Sequence, residues 1–131
     1  MKLTNLKIKQ TYEALTTLDK KLPVVVNFAI LHNLKQLEDI YNIYSKQRNS
    51  LIFQYADKDD KGNVIISGNT CTITPEDDKK AMNQKLNELD SISVDINIQQ
   101  VDKKDLVYSD SQYDILSTQE LRCMEFMIKE D

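Results

Sequence analysis

Apolar positions recur with two periods along this chain, and the switches between them mark its elements. Leu6 and Ile8 alternate with Lys7 and Lys9, which predicts a short extended start. From Gln10 the period lengthens. Tyr12, Leu15 and Leu18 recur at three-residue steps and predict a helix that stops at Asp19-Lys20-Lys21. Leu22-Pro23 is a boundary, because the residue before proline avoids the helical region and Pro23 suits the first turn of the next helix. Residues 24–56 carry the longest pattern. Ile30, Leu34, Leu37, Tyr41, Tyr44, Arg48, Leu51 and Tyr55 step alternately by four and three, a heptad seam that neither Gly nor Pro interrupts. Such a helix is about 50 Å long at 1.5 Å per residue. Either other helices of the chain pack along it, or part of it projects and pairs with a partner. Arg48 is the one charge in the seam. Its long stem can snorkel near the helix end, with a register-setting polar contact as the alternative.

The second half opens with a polar turn, Asp57 to Asn63. Val64-Ile65-Ile66-Ser67 and Thr70-Cys71-Thr72-Ile73 then flank Gly68-Asn69, a two-residue hairpin turn of the primed type. Thr74 is the expected N-cap of the next helix, with Pro75 in its first position and Glu76-Asp77 at its positive end. Met82, Leu86 and Leu89 form its apolar stripe, and it should end near Asp90. Ile92, Val94, Ile96 and Ile98 alternate with polar residues and predict a half-buried strand over 92–99. A polar connection over 103–114 has Leu106, Val107, Tyr108 and Tyr113 as anchors. Ser117-Thr118-Gln119-Glu120 is a capping box, and Leu121, Met124, Phe126, Met127 and Ile128 cover more than one face of the last helix. The expected fold is α+β. About four helices pack on a small, mainly antiparallel sheet made of the 64–73 hairpin and the 92–99 strand, in a single domain over 1–131.

Composition narrows the function. The 131 residues include only 2 Gly and 2 Pro. Phosphate-binding glycine loops need two or more Gly at fixed short spacings, so a Walker loop, a dinucleotide fingerprint and a kinase glycine loop cannot be built. No apolar run reaches the roughly 18 residues that cross a bilayer, and the first residues have no signal-peptide stretch. Cys71 and Cys123 are too few for a disulfide framework. With a single His they cannot assemble a four-ligand Cys/His zinc site. These features imply a cytoplasmic protein with reduced thiols. Residues 1–55 hold 8 Lys/Arg against 4 Asp/Glu, and residues 56–131 hold 9 against 17. Only Arg48 and Arg122 are arginines, so nucleic acid is a disfavoured partner.

Catalytic signatures are absent. The Asp57-Lys58-Asp59-Asp60-Lys61-Gly62 turn starts like a calcium loop. It then places Lys61 where an oxygen ligand belongs and Gly68 where a bidentate Glu should close the shell. A solvated acidic turn is the expected reading. His32, off the seam, reads as a surface or partly packed histidine. No nucleophile motif is present. Tyr41, Tyr44 and Tyr55 sit at heptad spacing, which favours core or interface over a ligand-stacking role. No catalytic, metal or cofactor residue is expected, and the chain reads as a non-enzyme.

One arrangement is familiar. A leading helix runs into Lys20-Lys21-Leu22-Pro23-Val24, and a long helix carries Asn33-Leu34-Lys35-Gln36-Leu37-Glu38 through Tyr44 and Arg48 to Tyr55. A turn, a helix, an Ile-rich strand and a terminal Leu-x-x-x-Glu-Phe-Met-Ile helix follow. This resembles small phage and prophage proteins of low-GC Gram-positive bacteria. The resemblance implies a phage accessory or assembly role, without catalytic residues. The expected function is protein–protein interaction or oligomerisation, with Ile30, Leu34, Leu37, Tyr41, Tyr44, Arg48, Leu51 and Tyr55 as the interface and a second copy or a host or phage protein as partner. An anti-defence inhibitor (anti-CRISPR-like, or a binder of an immune protein or signal) is the alternative, and a nucleic-acid-binding regulator the third reading.

Overall fold

The computed structural model describes residues 1–108 and 112–130. Its elements run β1 (Lys2–Thr4), α1 (Asn5–Thr16), α2 (Val24–Tyr55), β2 (Ile66–Ser67), β3 (Thr70–Cys71), α3 (Glu76–Ser91), β4 (Ser93–Asp95) and α4 (Thr118–Met124). Short 3-10 turns lie at Lys103–Leu106 and Glu125–Met127. The fold is α+β, as the periodicities imply. The chain forms two compact units, one of Met1–Tyr41 with Ser93–Asp131 and one of Asn42–Ile92. It leaves the first within α2 and returns to it after α3.

The first unit holds the larger core. Ile8, Leu15, Leu22, Val26, Ala29, Ile30, Leu37, Ile96, Val101, Met124 and Met127 are buried together. Each large side chain fully buried contributes about 1.5–3 kcal/mol of hydrophobic transfer. α1 starts five residues earlier than Gln10. The Thr4 hydroxyl accepts from the Lys7 N–H at 3.2 Å and caps the helix. Leu6 and Ile8, expected on one face of a strand, therefore lie on opposite sides of a helix, Leu6 exposed and Ile8 buried.

The strand expected over 92–99 is shorter, and its partner differs. β4 pairs antiparallel with β1, Leu3 opposite Val94, while β2 and β3 form a separate two-stranded ribbon. Beyond β4 the chain is held by a side chain. Asn33, fully buried on α2, accepts from the Gln99 N–H at 2.7 Å and donates to the Gln99 carbonyl at 2.9 Å. Val101 then bridges to the C-terminal segment. Its N–H donates to the Met127 carbonyl and its carbonyl accepts from the Lys129 N–H, both at 2.8 Å. The capping box at Ser117 forms with both of its hydrogen bonds. The helix it starts is brief. After Met124 the chain tightens into the 3-10 turn, and Ile128 joins the bridge to Val101 instead of a helix face. In the 103–114 connection, residues 109–111 lie outside the described residues.

In the second unit, the 64–73 hairpin reduces to two-residue strands around Gly68, whose φ of +63° meets the turn's demand for a left-handed residue. α3 starts at Glu76 behind Pro75. Thr74 does not cap it. Asp57 recruits that hydroxyl, which donates to its carboxylate at 2.6 Å.

Candidate interaction surface on the long helix

α2 carries two apolar stripes, and the chain covers one of them. On the inward stripe, Ile30 and Leu37 are buried in the core of the first unit, and Leu34 and Tyr41 are half-buried. Tyr41 lies ring to ring with Tyr12 of α1 at 4.6 Å, and its hydroxyl donates to Glu13 at 3.3 Å. Further along, Tyr44 is buried in the second unit and its hydroxyl donates to Asp90 of α3 at 2.5 Å. Leu51 is half-buried. The Lys85 ammonium sits 5.3 Å from the centre of the Tyr55 ring. Arg48 is exposed. Thus Ile30, Leu37 and Tyr44, placed by the sequence at an interface, face the chain's own interior. A heptad step serves packing within a chain as well as packing between chains.

The outward stripe is uncovered. Val24, Phe28 and Leu31 step by four and three on the opposite face, with Val25 beside them. They are 79%, 64%, 67% and 58% exposed. From Lys35 onward that face is mainly polar, through Glu38, Asp39 and Asn42, with Ile43 as an exposed apolar residue beyond them. His32 borders the apolar row. Its ring stacks on Phe28 with centroids 6.5 Å apart, and its Nε2 lies 3.1 Å from the Asn97 carbonyl oxygen, the geometry of an Nε2–H donor.

The acidic turn binds itself. The Asp57 carboxylate accepts from the hydroxyls of Thr72 and Thr74 and from the Thr74 N–H. The Thr74 hydrogen bonds hold its pKa below the usual carboxylate value. Asp59 accepts from the Lys61 and Asn63 N–H groups. Among the described residues, no three His, Cys, Asp or Glu side chains are grouped to hold a metal.

No family model, curated protein or solved structure matches this chain. What it offers a partner is therefore read from its own surface. No helix among the described residues is long and apolar enough to cross a membrane. The four-and-three spacing of Val24, Phe28 and Leu31 is present in the sequence beside the longer seam from Ile30 to Tyr55, which masks it.

Proposed function

We propose that the chain is a non-enzymatic protein-interaction module. It self-associates in the host-cell cytoplasm as an accessory protein of the phage or prophage kind its sequence resembles. The supporting observation is the uncovered row Val24, Val25, Phe28 and Leu31. Single exposed apolar residues are ordinary, whereas a contiguous row marks a contact surface. The row is suited to a second copy of itself. A two-fold axis near Phe28 sets Phe28 against Phe28 and Val24 of one copy beside Leu31 of the other, the isologous pairing of symmetric dimers. Two turns of helix are a small contact, below the roughly 1,200 Å² of a stable complex, so the association is weak.

Light scattering and sedimentation test this. The mass of the chain should rise toward a dimer as concentration approaches about 1 mM. The Phe28→Glu, Leu31→Glu double variant should stay monomeric with an unchanged melting temperature, because both side chains already face solvent. A wild-type chain that remains monomeric up to that concentration overturns self-association.

A further inference from the structure

The first unit contains a cleft of ≈ 400 Å³ between α1 and α4. Its walls have the same residue spacing, one along α1 and the other along α4 and the 3-10 turn that follows it. Lys7, Gln10, Thr11 and Ala14 line one side, and Gln119, Arg122, Cys123 and Phe126 line the other. Residues at i, i+3, i+4 and i+7 are the positions two packed helices close on one another with apolar side chains. Here polar side chains interrupt both faces, and a cavity remains between them.

Three features say what it can hold. Lys7 and Arg122 place one cation on each wall, and among the described residues neither has an ion-pair partner. Thr11 is only 6% exposed, yet its hydroxyl has no hydrogen bond among the described residues. Every fully enclosed side-chain N or O atom among them has a partner, so this hydroxyl is not enclosed. The cleft that Thr11 lines is its opening. A helical threonine usually satisfies its hydroxyl on the carbonyl four residues back, so this free hydroxyl is available to a ligand. Ala14 and Phe126 supply apolar wall. Glu125 lines the same cleft without pairing to either cation, which reduces the rim to one net positive charge.

We infer that this cleft binds a small organic carboxylate with a compact apolar body. Arg122 and Lys7 take the carboxylate by charge-assisted hydrogen bonds, the Thr11 hydroxyl donates to it from below, and Ala14 and Phe126 pack on the body. One net positive charge balances a monoanion, whereas a dianionic phosphate would leave one negative charge uncompensated in the cleft, beside Glu125. The site is separate from the outward stripe of α2 and does not depend on it.

Phenylacetate, its neutral analogue phenylacetamide and inorganic phosphate are the probes. Titration of the full chain is followed by amide shifts of residues 7–14 and 119–126 in ¹H–¹⁵N spectra. Phenylacetate should give saturable shifts confined to those segments, with a Kd of about 1 mM, ordinary for a ligand of this size. Arg122→Gln should weaken it by about tenfold, and Lys7→Gln by less. Glu125→Gln, an exposed change, should tighten binding roughly two- to threefold, which a merely structural role would not do. Thr11→Ser should keep the affinity and Thr11→Val lower it. Equal binding of phenylacetamide or of phosphate, an Arg122→Gln chain that binds as wild type, or no saturable shift would each overturn the assignment.

Discussion

Asn33, itself fully buried, closes two hydrogen bonds to the Gln99 backbone within the first unit. Removing the amide leaves the Gln99 N–H and carbonyl unpaired. Asn33→Ala should cost about 2–3 kcal/mol in urea denaturation, and a change below about 0.5 kcal/mol would contradict this account. Tyr44 makes a different prediction. Burial first, then the hydrogen bond to Asp90 and its negative charge, push the phenol up to about 12 from the usual 10. Arg48 opposes this weakly. A raised phenol pKa means the folded chain holds its proton longer than the unfolded chain. The stability it contributes is complete below pH 10 and is lost as pH rises from 10 toward 12. A 295 nm titration should show a late step from Tyr44 near pH 12. The late step should vanish in Tyr44→Phe and move down in Asp90→Asn.

At the scale of elements, what the sequence disclosed depended on how local each interaction is. The seam of α2, the stripe of α3 and the capping box at Ser117 are set within a few residues, and each appears where its pattern lies. The pairing of β4 was not legible. Its partner β1 lies about ninety residues earlier, and nothing local in Ile92–Ile98 selects Lys2–Thr4 over the nearby hairpin. Thr74 illustrates competition. Its place before Pro75 fits a cap, but the Asp57 carboxylate captures its hydroxyl from seventeen residues away. The alternation over Leu6–Lys9 spans too few positions to separate a strand from a helix, and the Thr4 cap decides it. The same limit applied to the candidate surface. Two stripes of α2 had heptad spacing, and the sequence could not say which one the chain would cover itself. The cleft between α1 and α4 needed the fold, since its walls are more than a hundred residues apart.

At the scale of the molecule, the two units differ in how much they bury. The first has an eleven-residue core, whereas Tyr44 and Ala56 are the buried apolar residues among those described in the second. α3 has no buried residue at all. Local opening costs least where few apolar groups are buried. In hydrogen exchange, peptides from α3 and the β2–β3 ribbon should therefore exchange before those from α1 and the first turns of α2. Simultaneous exchange of all of them would show a single cooperative unit. The charge contrast along the chain also changes meaning at this scale. Because the first unit joins both ends of the sequence, it holds 10 basic against 13 acidic residues and the second holds 7 against 8. The basic and acidic halves of the sequence thus do not become a basic and an acidic unit.

That joining of the two ends has a consequence during synthesis. Asn42–Ile92 is continuous in sequence and leaves the ribosome with every residue of its unit already made. Met1–Tyr41 emerges first but lacks its partners. At about 5–20 residues per second, α1 and the start of α2 wait several seconds before β4, Val101 and Met124 exist to cover them. Through that interval Ile8, Leu15, Val26 and Leu37 stand open to the cell, and the nascent chain is at its most chaperone-dependent before its last third has been translated.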